Sequence, residues 1–199
     1  MQEAIKKTSY CLIIIGMTVL TYQGSFRTLV KGRKYIETIG RANSIKTVQQ
    51  FEENLRDVLD YPAPVSDDEI VKFIGGDVIN LVAKPGQSEE IGRELIRFVE
   101  SYSDQKDVLH ILNLGRAYHY LWVNHKNPED YKSAEKYYEK ILVIAPKLPP
   151  VLYGMIDLYR VAGDREKTKE YAEKTLMYWP KDARLIDILK KIKNGQPLL

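Results

Sequence analysis

Apolar residues recur every three or four positions along most of the chain after residue 43, which is the pattern of amphipathic α-helices. One helix is predicted to run from a cap at Asn43 or Ser44 to about Asp60. A second follows the capping box Ser66-Asp-Asp-Glu69, and a third begins near Ser88. Prolines and glycines separate these segments, and the pattern predicts an all-α fold.

Two glycine-containing stretches lie in this region. Gly75-Gly76 falls inside the second predicted helix, where we expect a kink or close packing. Lys84-Pro-Gly-Gln-Ser88 contains the residue types of a phosphate-binding loop but not their order, so we expect a plain turn at Pro85-Gly86.

The amino-terminal segment differs from the rest because nineteen consecutive residues, Thr8 to Phe26, carry no charge. About twenty helical residues span the roughly 30 Å hydrocarbon core of a bilayer, so this segment is long enough to cross one. Tyr10, Tyr22 and Phe26 stand where interfacial aromatic residues occur. We expect an uncleaved transmembrane anchor; a cleaved secretory signal and a buried core helix are the alternatives.

The net charge of +3 hides an asymmetry. Residues 1–34 contain six Lys or Arg against one Glu, a net charge of +5, which leaves −2 for residues 35–199. Four of these basic residues follow the apolar segment, and by the positive-inside rule they favour a cytoplasmic C-terminal part. We therefore expect a single-pass protein of a bacterial inner membrane or plasma membrane, held in the bilayer through residues 8–26.

The C-terminal part contains an internal repeat with an offset of 34 residues. Residues 134–142 align with residues 168–176, and Pro146 aligns with Pro180; Leu114-Gly115-x-x-Tyr118 precedes the first copy. This period and these positions resemble the tetratricopeptide repeat (TPR) family. The resemblance implies an α-solenoid of TPR-type helix pairs, in which small residues let helices approach and aromatic residues fill the gap to the next pair.

The repeat also departs from the family pattern. Ile156 and Thr168 replace the usual glycine and alanine of the second unit. About seven residues are inserted around Trp122 to Pro128 in the first unit, and such insertions lie in a loop or lengthen the helix pair. A capping helix is expected at residues 181–193, with an apolar stripe of Leu185, Ile186, Leu189 and Ile192.

These patterns predict three segments. A membrane anchor with basic flanks occupies residues 1–34, and a helical linker and packing segment occupies residues 35–104. A TPR domain follows at residues 105–195, with units at about 108–148 and 149–182 and the capping helix at its end.

A wider resemblance concerns the order of the segments. The apolar helix and basic linker are followed by Phe51-Glu-Glu-Asn-Leu-Arg-Asp-Val-Leu59, by Tyr61-Pro-Ala-Pro64, by an acidic-capped helix and by the repeats. This order is similar to the tail that follows the last membrane helix in some bacterial O-antigen-ligase/polymerase-like membrane proteins. The membrane helices and the extracytoplasmic loop of their catalytic part are absent, so the resemblance implies no activity for this chain.

The sequence contains no constellation typical of catalysis or metal binding. His110, His119 and His125 are spaced by nine and six residues, whereas two metal ligands on one helical face need a spacing of about four. The single Cys11 lies in the apolar segment, where thiolate formation is disfavoured. The aromatic residues at 118–138 belong to a part of the chain with a net charge of −2, whereas base-stacking surfaces come with a basic groove, so packing between helices is favoured over nucleic-acid binding. We expect no cofactor, no metal ion and no catalysis.

The remaining expectation is a binding surface. In TPR folds the first helix of each unit lines a concave groove, and the resemblance implies that this groove binds a protein partner or peptide. Leu112 and Arg116 stand where chaperone-binding members carry Lys and Asn, so a chaperone adaptor is not expected. The candidate groove residues are Leu109, Leu112, Arg116, His119, Tyr120, Tyr153, Asp157 and Arg160.

The sequence therefore predicts a membrane-anchored TPR scaffold that holds a protein partner and has no catalysis of its own. The alternative is a regulatory or assembly tail of an O-antigen ligase or polymerase whose catalytic part lies outside this chain.

Overall fold

A computed structural model of the chain describes residues 2–41, 47–64 and 67–198. These residues form helices joined by turns and short connections, and no β-strand occurs among them. The predicted all-α fold is therefore confirmed. The chain divides into two compact units, Met1–Phe73 and Ile74–Leu199, and this boundary falls inside the segment that we had predicted to be a linker.

The first unit begins with a long apolar helix. Helix α1 (Gln2–Thr21) continues through a π-helical turn (Tyr22–Phe26) into α2 (Arg27–Gly40). Within Lys6–Gly40 an 18-residue window has a mean hydropathy of 1.3, and none of the window is buried. By length and composition this is the one helix in the described part of the chain that could cross a membrane.

Helix α3 (Val48–Leu59) begins later than predicted. Its N-cap is Thr47, which has an extended backbone and a hydroxyl oxygen that accepts a hydrogen bond from the Gln50 amide. The predicted caps Asn43 and Ser44 lie outside the described residues. Threonine is a weaker cap than asparagine or serine, so the general preference pointed to the earlier residues.

Helix α4 (Asp67–Val82) contains the boundary between the two units. Its predicted cap, Ser66, lies outside the described residues. The helix ends before the predicted turn, in which Gly86 has a φ of +80° that favours glycine.

The second unit consists of helices that pair in chain order. The C-terminal half of α4 is followed by α5 (Glu89–Tyr102), α6 (Val108–His125), α7 (Pro128–Ile144), α8 (Pro149–Ala162), α9 (Arg165–Leu176) and α10 (Ala183–Lys193). Contacts join α5 to α6, α6 to α7, α8 to α9 and α9 to α10, and α8 also contacts α6 and α7. Two-residue connections join α6 to α7 and α8 to α9, so each of these pairs is an antiparallel hairpin.

The residues inserted in the first repeat lengthen its helices. Helices α6 and α7 contain 18 and 17 residues, whereas α8 and α9 contain 14 and 12. Side chains cap the second helix of each hairpin, because Asn127 accepts a hydrogen bond from the Glu129 amide and Asp164 accepts one from the Lys167 amide. Ser88 likewise caps α5.

The two hairpins pack closely around Tyr138 of α7, which is 1% exposed. A Cβ atom added to Gly115 of α6 would lie 3.0 Å from two carbons of this ring, and one added to Gly154 of α8 would lie 2.9 Å from the ring. Both helices therefore approach Tyr138 where a glycine leaves room. The close packing predicted at Gly75 is also present, because a Cβ there would lie 2.8 Å from the amide nitrogen of Asn113.

A buried ion pair joins α5 to α7. The Arg93 guanidinium donates to both carboxylate oxygens of Asp130, at 2.7 and 3.0 Å, and to Glu89 at 2.8 Å. The Asp130 side chain has no exposed surface. Burial raises the pKa of Asp130, and the hydrogen bonds from Arg93 oppose that shift. The carboxylate therefore depends on Arg93 to remain charged inside the protein.

The capping helix α10 is present, but its buried face differs from the prediction. Leu185 and Ile188 are buried, and Leu189 and Ile192 pack against their cluster. Ile186 is 49% exposed, so its assignment to the apolar stripe was wrong. The observed positions follow the i, i+3, i+4, i+7 spacing of one helical face, which residue 186 does not.

Candidate binding surface

Three of the predicted groove residues on α6 are exposed. Leu109 is 51% exposed and Tyr120 38%, and Arg116 lies between them on the same side of the helix. Leu112 is 6% exposed, so its assignment to a groove was wrong. Helix α6 contacts α5, α7 and α8, and these neighbours leave only a narrow exposed stripe that excludes Leu112.

His119 lies at the inner side of this surface. Its Nδ1 atom is 3.3 Å from the hydroxyl of Tyr138. Burial lowers the pKa of His119 to about 4, and the Asp157 carboxylate on α8 opposes this shift. The imidazole is therefore neutral at pH 7, and it packs between α6 and α7 rather than offering a charge to a partner.

The candidate residues on α8 contact the chain's own C-terminal segment. Tyr153 donates a hydrogen bond to Asp182, and this bond lowers the pKa of that carboxyl group. Asp157 accepts hydrogen bonds from Arg184 at 2.7 Å and from Arg160 at 3.2 Å. Arg160 also donates to the carbonyl of Leu198 at 2.9 Å. The polar atoms predicted to meet a partner are thus already engaged within the chain.

An open cleft of about 570 Å³ lies beside Tyr153. The rings of Tyr178 and Trp179 meet edge to face, with their centroids 5.8 Å apart. The Lys147 ammonium lies 5.2 Å from the centroid of the Tyr178 ring. The cleft therefore has aromatic and prolyl walls next to a cation, and its lining consists of Pro149, Tyr153, Tyr178, Trp179, Pro180, Lys181 and Asp182.

Sequence reasoning placed only Tyr153 of these residues at a binding surface. Pro180 aligns with Pro146 in the repeat, and no role was predicted for Tyr178 and Trp179. A signal was present, because a Tyr-Trp-Pro turn after the last repeat helix puts two large aromatic residues where the repeat pattern needs none.

In the described part of the chain, no group of three or more His, Cys, Asp or Glu side chains is placed to hold a metal ion. His110 is 2% exposed and accepts a hydrogen bond at Nδ1 from the Asp104 amide, at 2.9 Å. Cys11 is exposed on α1. Neither His110 nor Cys11 is among the residues that line the cleft.

No protein-family model matches the sequence, and no curated protein or solved structure matches it significantly. The contacts described above therefore carry the functional inference.

Proposed function

We propose that the chain is a membrane-anchored scaffold of the TPR type that binds a protein partner and has no catalysis of its own. The 34-residue sequence offset supports the repeat assignment, because the aligned residues 134–142 and 168–176 fall in α7 and α9, the second helices of the two hairpins. The position of Tyr138 between Gly115 and Gly154 supports it as well, since the repeat pattern needs an aromatic residue between neighbouring pairs.

The proposed anchor is the apolar helix. Its uncharged residues 8–26 have the length of a bilayer core, and its window of high hydropathy has no buried residue. The basic residues that follow favour a cytoplasmic second unit. The partner would then be held close to the membrane surface.

The observation that carries the binding proposal is the open cleft at Tyr153, Tyr178 and Trp179. Aromatic and prolyl walls left open to water are typical of surfaces that bind a partner. Grooves lined by aromatic rings bind extended, proline-containing peptide segments, because such segments lose little conformational freedom on binding. The partner segment proposed here is an extended peptide with apolar or prolyl side chains. The exposed Leu109 and Tyr120 of α6 are proposed as a second contact with the same partner.

Site-specific photocrosslinking in the native membrane tests the proposal. A photoreactive phenylalanine analogue is placed at Trp179 or Tyr120 in the full chain, and at Glu170, an exposed residue of α9, as the control. We expect the same protein adduct from the first two positions and none from the third. Equal adducts from all three positions, or none from any, would count against the surface.

Two substitutions at one position separate binding from folding. Tyr153→Phe keeps the ring in the cleft but loses the hydrogen bond to Asp182, whereas Tyr153→Ala loses both. We expect the alanine variant combined with Arg116→Ala to lose partner capture, and the phenylalanine variant to keep it. Unchanged capture by the double alanine variant would exclude these residues from the binding surface.

A further inference from the structure

Helices α2 and α3 lie against each other in antiparallel register. Residues with lower numbers in α2 contact residues with higher numbers at the end of α3 and in the turn after it. The register contacts are Lys34 to Asp57 at 2.9 Å, Lys31 to the Leu59 carbonyl at 2.7 Å, and the Arg27 guanidinium carbon 5.9 Å from the centroid of the Tyr61 ring. Helix α3 therefore runs back towards the apolar helix, and the turn at Tyr61-Pro-Ala-Pro64 lies beside Arg27.

Lys31 fixes this turn to α2. Its side chain has no exposed surface, and its ammonium donates to the carbonyls of Leu59 and Tyr61, at 2.7 and 2.9 Å. The ammonium also forms an ion pair with Asp67 at the start of α4. These partners satisfy a charge that would otherwise be costly to bury. The turn is thus held at a defined height along the helix.

That height can be estimated from the sequence. Phe26 is the last residue of the uncharged segment. At 1.5 Å per residue Lys31 lies about 7 Å beyond it, and helical side chains tilt towards the amino terminus, here towards the apolar segment. The headgroup layer on each side of a bilayer is about 5–7 Å thick. When α1 spans a bilayer, the turn lies at the depth of the headgroups.

The residues of the turn suit that environment. Tyrosine is enriched at the membrane interface because its ring is apolar and its hydroxyl is polar. Pro62 and Pro64 are exposed, and neither has a backbone N–H group that would lose water on insertion.

The cations beside the turn already have partners. Lys31 is buried, and Lys34 pairs with Asp57 and lies 5.3 Å from the centroid of the Tyr61 ring. Arg27 donates a hydrogen bond to the side-chain oxygen of Gln23 at 2.7 Å. Asp60 and Asp67 add negative charge next to the turn. The local charge therefore gives no reason for a preference for anionic lipid.

We propose that the Tyr61-Pro-Ala-Pro64 turn inserts into the headgroup layer of the bilayer that α1 spans. The contact is made by the tyrosine ring and the prolines, and not by attraction to anionic lipid. The proposal rests on the proposed membrane anchor. The turn then attaches the first unit to the bilayer at a second point, in addition to α1.

Depth measurement with nitroxide labels on the full chain in vesicles tests the insertion. The chain has a single cysteine, so Cys11→Ser gives a background in which one labelled cysteine can be placed at will. Ala63→Cys reports on the turn, and Val19→Cys reports on the apolar helix. Gln49→Cys is the matched control in the first unit, because it lies ten residues before Leu59 on α3, about 15 Å along the helix.

Collision with oxygen relative to a water-soluble nickel chelate measures the depth of each label. We expect the ratio to be highest at Val19, intermediate at Ala63 and lowest at Gln49, and to be the same in phosphatidylcholine vesicles with and without phosphatidylglycerol. A ratio at Ala63 equal to that at Gln49, with Val19 deep in the bilayer, would overturn the insertion but keep the anchor. A water-like ratio at Val19 would overturn the anchor itself. Insertion of Ala63 only in the presence of phosphatidylglycerol would overturn the apolar contact.

Discussion

Replacing Gly115 by alanine tests whether α6 packs closely against Tyr138 of α7 within the first hairpin. Alanine is favoured over glycine within a helix by about 1 kcal/mol. The added Cβ would lie 3.0 Å from two carbons of the Tyr138 ring and 3.3 Å from the Cβ of Tyr137. Overpacking of this kind costs about 1–3 kcal/mol, so we expect the free energy of unfolding to fall by roughly 1 kcal/mol.

Gly76→Ala is the matched control. Gly76 lies inside α4, and a Cβ there would meet no atom within 4 Å. The helix propensity of alanine then acts alone, and the free energy of unfolding should rise by about 1 kcal/mol. The same substitution is thus expected to have opposite effects at two helical glycines, with a difference of about 2 kcal/mol.

Urea unfolding of the full chain in detergent micelles measures both effects. The two tryptophans, Trp122 and Trp179, lie in the second unit, so their fluorescence reports on that unit. A gain in stability for Gly115→Ala equal to that for Gly76→Ala would refute the close packing. Repeating Gly115→Ala in a Tyr138→Leu background should reduce its cost, and no coupling between the two sites would show that the ring is not the obstacle.

Three further predictions have measurable outcomes. In the folded state the pKa of His119 is about 4, below its ordinary value of 6.5, so the unfolded state binds the proton more readily. As the pH falls from 6.5 to 4, the free energy of unfolding should therefore decrease by up to about 3 kcal/mol. His119→Gln should lack this part of the dependence in urea titrations across that range. Lys31→Met leaves two carbonyls without a donor and should lower the free energy of unfolding by about 2 kcal/mol. Lys34→Met, the control, should lower it by less than about 1 kcal/mol. Hydrogen exchange of the α3 amides measures both effects. Arg93→Met leaves the Asp130 charge buried and should cost about 3 kcal/mol in urea unfolding, most of which a second change, Asp130→Leu, should restore.

Features set by neighbouring residues were predicted well. The helix start at Ser88 and the turn at Pro85-Gly86 depend on contacts within a few positions, and both are present. Local sequence is sufficient there because the capping side chain and the amide that it accepts from lie within three residues of each other.

Features set by distant residues were missed. Lys31 was grouped with charges that orient a membrane helix, yet it is buried because the carbonyls of residues 28 and 30 positions away surround its ammonium. Leu112 was placed in a groove because the sequence alone does not show that α5, α7 and α8 cover most of α6. The cleft at Trp179 was missed for a similar reason, since its walls come from the start of α8 and from the turn before α10.

The C-terminal segment is held by two arginines of the second unit. Arg160 donates to the carbonyl of Leu198, and Arg165 donates to the carbonyl of Gln196. A label attached at Leu198 would therefore lie next to Arg160, on the helix that also carries Tyr153. A bulky tag at Leu198 is expected to hinder binding of the proposed partner, whereas the emission of a small fluorophore there is expected to change when that partner binds.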